Sequence, residues 1–73
     1  MKDAFAFLAA LHDLMPDERA TLALDPEGTA PLELTLRHRR NGNVQPYAIE
    51  EADFYKPIAQ LAAEIHALHT ETT

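Results

Sequence analysis

The stretch LTLRHRRNGNVQPYAI, residues 34–49, decides the fold because it places a turn signal between two segments of alternating polarity. Asn41 and Gly42 at its centre form the Asn-Gly pair that favours a two-residue type I′ hairpin, since both residues tolerate a positive φ. Strands of alternating apolar and polar residues expose one face and bury the other. We therefore predict an antiparallel hairpin with strands at residues 32–40 and 43–49.

The register of this hairpin follows from the length of its loop. A two-residue loop sets Leu34 opposite Ile49 and Leu36 opposite Tyr47, so the apolar side chains of both strands share one face. Pro46 has no N–H to donate to a neighbouring strand. We therefore predict that the third strand is an edge of the sheet, or that Pro46 lies at a bulge.

A further strand is predicted at residues 20–25, where leucines again alternate with other residues. The connection to the hairpin begins with Asp25-Pro26-Glu27-Gly28. Aspartate, proline and glycine stand here at the first, second and fourth positions, as they do in a type I turn. The three strands are thus expected to form an antiparallel meander.

Residues 3–15 are rich in alanine and leucine, both of which favour a helix. Asp3 can cap the start of this helix, and Pro16 ends it. At 100° per residue one side of the helix carries an apolar stripe. The stripe contains Phe5, Leu8, Leu11, His12 and Met15. Phe7 and Leu14 flank it, and the added width indicates either deep packing against a sheet or a surface for a partner.

A second helix is predicted at residues 54–69, which also carry an apolar stripe. The members of this stripe are Phe54, Ile58, Leu61, Ala62, Ile65 and Leu68. Asp53 can serve as the N-cap of this helix. In an alternative arrangement, residues 50–55 form a short turn and Pro57 opens the main helix.

These elements predict an α+β fold: a single domain of residues 1–73, in the order α-β-β-β-α. One leucine-rich sheet face and two amphipathic helices are best buried as a two-layer α/β sandwich, with both helices on one face of the three-stranded antiparallel meander. The opposite, open face is then expected to carry Glu33, Thr35, Arg37 and Arg39.

The composition excludes several classes of protein. The chain has no cysteine, so it can form neither a disulfide nor a zinc site built on thiolates. Its formal net charge of −6 opposes broad binding to nucleic acid or to anionic membranes. The N-terminal apolar run is too short and too charged for a membrane span or a signal peptide. We therefore predict a cytoplasmic protein that does not contact membranes.

No residue pattern indicates catalysis, a cofactor or a metal site. His66 and His69 share a helical face, and His12 lies on the other helix, but no further ligand is placed by sequence to complete a site. Adjacent carboxylates lie near predicted helix ends, where the helix dipole explains them. The chain has no serine and no glycine-rich phosphate loop. We predict that the protein is not an enzyme, with no catalytic residue, no cofactor and no metal.

The leading functional hypothesis is a small non-enzymatic protein–protein interaction module: a regulator, an inhibitor or an assembly subunit that can also form a homodimer. The expected partner-binding residues are Arg37, Arg39, Arg40, Phe7 and Leu14. The three arginines stand at the hairpin tip, where they can bind carboxylates or, alternatively, only keep the tip soluble. Two other functions stay open: nucleic-acid binding through the basic tip, and imitation of DNA by the acidic surface toward a basic protein.

Overall fold

The computed structural model describes residues 3–24 and 32–72, and it confirms the order α-β-β-β-α. The elements are α1 (Ala4–Leu14), β1 (Glu18–Leu24), β2 (Leu32–His38), β3 (Val44–Ile49), a 3₁₀ helix (Glu51–Tyr55) and α2 (Ile58–Thr72). The strands form one antiparallel sheet in the order β1-β2-β3, as predicted. The predicted type I turn at residues 25–28 lies outside the described residues.

The start of α1 agrees with the sequence prediction. The side chain of Asp3 accepts hydrogen bonds from the backbone N–H groups of Phe5 and Ala6, at 3.0 and 3.2 Å. These N–H groups have no partner inside the helix, so the cap satisfies them. At the other end the helix stops before Pro16, because the residue preceding a proline is disfavoured in helical conformation.

The buried face of α1 differs from the predicted stripe. Phe7, Leu11 and Met15, spaced four residues apart, are buried, whereas Phe5 is 81% exposed. The helix is therefore rotated so that Leu11 lies at the centre of its packed side, between Phe7 and Met15. The prediction of Phe7 as a partner-binding residue is wrong for this reason: its side chain has no exposed area and belongs to the core.

The hairpin loop contains four residues, 39–42, and not the predicted two. The N–H of His38 donates to the carbonyl of Asn43, and the N–H of Gly42 donates to the carbonyl of His38, both at 2.9 Å. Gly42 has a φ of 72°, and among the described residues no other type of residue has a positive φ. Asn41 therefore does not adopt the type I′ conformation, and glycine alone supplies the left-handed position.

The longer loop shifts the predicted pairing by two residues. Leu34 lies opposite Tyr47, and Ile49 lies opposite Leu32, so the predicted pairing of Leu34 with Ile49 is wrong. A shift of two residues keeps every side chain on its face, because successive residues of a strand alternate between faces. The prediction of a shared apolar face therefore survives the error in register.

The core lies between this sheet face and both helices, which confirms the predicted two-layer arrangement. It consists of Phe7, Leu11, Met15, Leu34, Leu36, Ile49, Leu61, Ala62 and Ile65. Within α2, Leu61 donates its N–H to the carbonyl of Pro57 at 3.0 Å, so Pro57 precedes the first turn. The predicted helix start at residue 54 is wrong, and the alternative of a short turn followed by Pro57 is confirmed.

Candidate functional site

All four arginines of the chain line one open cleft at the turn end of the hairpin, where β1 begins. This arginine cleft, of about 570 Å³, is formed by Arg19, Arg37, His38, Arg39, Arg40 and Gly42. Every one of the four arginine side chains is exposed. An acidic chain thus collects four of its six Lys and Arg residues in one place.

The pairing of β1 with β2 accounts for half of the arginine cleft. Arg19 lies directly opposite Arg37, and both side chains point to the open face of the sheet. Like charges directly opposite one another destabilise a sheet. The fold therefore tolerates an unfavourable pair at this position.

The hairpin turn supplies the other half. Arg39 donates its N–H to the carbonyl of Asp17 at 2.9 Å, which extends the β1–β2 ladder past the last residue of β2. Arg40 donates its N–H to Nδ1 of His38 at 3.2 Å. These two bonds fix the backbone of the turn, while both guanidinium groups stay directed to solvent.

No arginine of the cleft forms an ion pair within the described residues. The ion pairs found there involve Lys56 and His69 instead. A guanidinium group carries five N–H donors in a planar fork, which matches two oxygens of a carboxylate or phosphate. The arginine cleft can therefore bind an anion from outside without first breaking an internal salt bridge.

The structure brings together Arg37, Arg39 and Arg40 as predicted from the sequence, and it adds Arg19, which the sequence analysis missed. Alternation of apolar and polar residues continues back from Leu22 to Arg19, so extending the predicted strand by one residue would have included Arg19. Leu14 is 43% exposed and lines a different depression, of about 300 Å³. Its role in self-association stays a prediction.

A buried polar network links the start of β1, the middle of β3 and the end of α2. Nε2 of His69 donates to Oε1 of Glu18 at 2.9 Å, since a carboxylate oxygen can only accept. Nδ1 of His69 lies 2.9 Å from the hydroxyl oxygen of Tyr47. In the neutral ring Nδ1 accepts from that hydroxyl, so one histidine joins two strands that are not neighbours in the sheet.

The carboxylate of this network is incompletely satisfied. Glu18 is 9% exposed, and its Oε2 is buried without a hydrogen-bond partner among the described residues. An open pocket of about 470 Å³ adjoins it, lined in part by His38, Asn41 and Asn43. Sequence reasoning missed this network because Glu18 was placed outside the strand and no pattern in the sequence pairs it with His69.

The histidines considered as metal ligands lie in different surroundings in the structure. His12 is exposed on α1, and His69 directs both ring nitrogens to the network. Within residues 3–24 and 32–72, no group of three or more histidines and carboxylates is arranged to hold a metal ion.

Lys56 forms a second, surface cluster with two carboxylates. Its Nζ lies 2.9 Å from Glu64 and 3.0 Å from Asp53, and these bonds raise the pKa of Lys56 above its ordinary value of 10.5. The bond from Lys56 lowers the pKa of Glu64 below 4.5. Desolvation alone raises the pKa of Asp53, but the bonds from Lys56 and the Glu50 N–H outweigh it and bring the pKa below 3.8. Unlike the arginines, this cation is already paired.

Neither helix of the described chain has both the length and the apolar character that a bilayer crossing requires. Comparison with models of known protein families, with curated proteins and with solved structures finds no match to this chain.

Proposed function

We propose that the protein is a small, non-enzymatic interaction module that binds an acidic segment of a partner protein through the arginine cleft. One observation carries this proposal. All four arginines line the same cleft, and none has a carboxylate partner within the described residues. Roles as a regulator, an inhibitor or an assembly subunit are all consistent with such a module.

The chemistry of the arginine cleft favours carboxylate groups presented side by side. Arg19 and Arg37 are held opposite each other at the cost of mutual repulsion, which a bound anion would relieve. Charge-assisted hydrogen bonds from arginine to carboxylate are roughly twice as strong as neutral ones. Binding energy at this site therefore combines new hydrogen bonds with the removal of an existing unfavourable interaction.

An acidic protein segment suits the cleft better than nucleic acid does. The net charge of −6 repels a long polyanion at distances beyond the cleft, whereas a short acidic segment meets mainly the four arginines. Proteins that bind nucleic acid through the phosphate backbone usually carry a favourable overall charge. Binding of nucleic acid by the hairpin is the competing function, and the same experiment separates the two.

The test is a fluorescence titration with a labelled deca-glutamate peptide, a deca-lysine peptide and a ten-nucleotide single strand of DNA, at about 50 mM salt. We expect the wild type to bind deca-glutamate, with an affinity that falls as salt rises. The double variant Arg39→Ala, Arg40→Ala should lose about tenfold or more in affinity. Lys56→Ala is the matched control, since it removes one positive charge outside the cleft, and it should bind as the wild type does.

Two results would overturn the proposal. One is the absence of deca-glutamate binding by the wild type, or binding that the arginine double variant retains in full. The other is tighter binding of the DNA strand than of the peptide through the same arginines, which would assign the cleft to nucleic acid.

A further inference from the structure

We infer that the acidic segment binds in an extended conformation, as a fourth strand added to the open edge of β1. This inference rests on the proposed function and names its binding mode. It follows from the direction of the backbone groups of β1, from the difference between the two edges of the sheet, and from the position of the arginines beside one of them.

The direction of the backbone groups follows from the hairpin. Because His38 donates its N–H to Asn43, the even-numbered residues of β2 direct their backbone groups to β3 and the odd-numbered residues direct theirs to β1. Odd-numbered residues of β1 pair with odd-numbered residues of β2. The even-numbered residues Ala20, Leu22 and Leu24 therefore direct their N–H and C=O groups away from the sheet.

Two further hydrogen bonds agree with this assignment. Glu18, an even-numbered residue, donates its N–H outward to the carbonyl of Met15 at 3.1 Å. Asp17, an odd-numbered residue, accepts from the N–H of Arg39 on the β2 side. Among the described residues no backbone hydrogen bond uses the outward groups of Ala20 or Leu22. The edge of β1 thus offers evenly spaced donors and acceptors to an added strand.

The two edges of the sheet are protected to different degrees. In β3 the outward backbone positions are those of Val44, Pro46 and Ala48, so the missing N–H of Pro46 interrupts that edge and opposes strand addition. The edge of β1 contains no proline or glycine, and its pairing with β2 has no bulge. Proteins usually block an exposed strand edge. Within residues 3–24 and 32–72, one edge is blocked and the other is not.

The arginine cleft lies beside the unblocked edge. A strand added to β1 would place alternate side chains on the open face of the sheet, where the nearest cation is Arg19, and Arg37 lies one strand further away. The remaining side chains of the added strand would lie next to Leu22 and to Leu24, which is 74% exposed. The ligand that fits is an extended peptide in which acidic residues alternate with apolar ones.

A pair of alanine-to-proline variants tests this binding mode with an octapeptide of alternating glutamate and valine. Ala20→Pro removes an outward N–H from the edge of β1, and Ala48→Pro removes one from the edge of β3. Neither substitution removes a hydrogen bond between strands of the sheet. We expect Ala20→Pro to weaken peptide binding about tenfold, whereas Ala48→Pro should bind as the wild type does.

Modified peptides keep the test decisive if Ala20→Pro does not fold. Two peptides are titrated against the wild type, one N-methylated at its odd-numbered residues and the other at its even-numbered residues. Strand addition predicts that one of these peptides does not bind and the other binds normally, because only one set of peptide N–H groups faces β1.

The failure of this inference can be told apart from the failure of the proposed function. If both proline variants and both methylated peptides bind normally while the arginine double variant does not, the cleft binds acidic peptides without strand addition. If the wild type binds neither acidic peptide, the proposed function itself fails. If sedimentation shows a dimer of the wild type that Ala20→Pro dissociates, the edge belongs to a second copy of the chain, and the inference is overturned.

Discussion

Replacing His69 by leucine should destabilise the protein more than replacing its partner Glu18 by leucine. His69→Leu leaves the Glu18 carboxylate buried, with neither oxygen bonded among the described residues. A buried neutral acceptor left without a partner costs about 1–3 kcal/mol, and a charged one such as a carboxylate costs more. A domain of 73 residues has a free energy of unfolding of about 4–11 kcal/mol, so this loss takes a large share of it.

Glu18→Leu changes contributions of opposite sign. It removes one hydrogen bond, worth about 1.5–3 kcal/mol, together with the acceptor of the buried Nε2–H of His69, and it also removes the unsatisfied Oε2, whose burial costs about 1–3 kcal/mol. These partly cancel, so the variant should lose about 1–3 kcal/mol, which is less than His69→Leu loses, because a ring N–H deprived of this acceptor costs less to bury than a charged carboxylate. The double variant, which also lacks the buried carboxylate, should regain most of the stability that His69→Leu loses.

Urea denaturation followed by circular dichroism measures all three variants under the same conditions. Recovery of stability in the double variant is the informative result, because it assigns the loss in His69→Leu to the stranded carboxylate and not to other contacts of the histidine. The reasoning is refuted if Glu18→Leu is as damaging as His69→Leu, or if the double variant is no more stable than His69→Leu alone.

Three further variants test other parts of the structure. Arg37→Thr should raise the free energy of unfolding by about 0.2–1 kcal/mol, because it removes the repulsion with Arg19. It should also weaken the binding of acidic peptides. Salt screens charge repulsion, so a gain in stability that does not shrink at high salt would contradict this explanation. Gly42→Ala should lower the melting temperature by about 4–8 °C, because alanine at a φ of 72° costs about 1 kcal/mol, and an unchanged melting temperature would contradict that turn conformation. On acidification below about pH 4.5, Lys56→Met should lose less stability than the wild type loses. The two carboxylates that Lys56 binds have lowered pKa values, so their stabilising contribution is present above their ordinary pKa and disappears as the pH falls through the lowered values. Thermal melts between about pH 5 and about pH 2.5, in steps of about half a pH unit, check this last expectation. Parallel profiles of melting temperature against pH for variant and wild type would contradict it.

The sequence predicted the layers of the fold well because hydrophobic alternation reports the face of a strand directly. Leu34 and Leu36 alternate with polar residues, and the structure buries both. The register was harder to predict, since Asn41-Gly42 fits a two-residue loop and also the end of a four-residue loop with glycine in the left-handed position. Only contacts between the strands distinguish the two-residue loop from the four-residue loop, and both loops keep each side chain on the same face of the sheet.

The candidate site was predicted only in part, because it combines residues that are distant in the chain. Arg37 and its neighbours in the turn form a visible cluster in the sequence, but Arg19 joins them only through the pairing of β1 with β2. The network of Glu18 and His69 spans 51 residues and has no local pattern. The buried side of α1 was predicted only in part, with Leu11 and Met15 buried and Phe5 exposed, because its many alanines and leucines make several faces apolar.

The most direct test of the central claim is an NMR titration that follows the Nε–Hε signals of the arginine side chains as the glutamate–valine octapeptide is added. The chain has four arginines, so the spectrum should contain four such signals. We predict that all four shift together with one common dissociation constant, while the signal of the Lys56 ammonium group does not move. Binding that leaves the four arginine signals in place, or that shifts Lys56 instead, would contradict the proposal that the arginine cleft is the functional site.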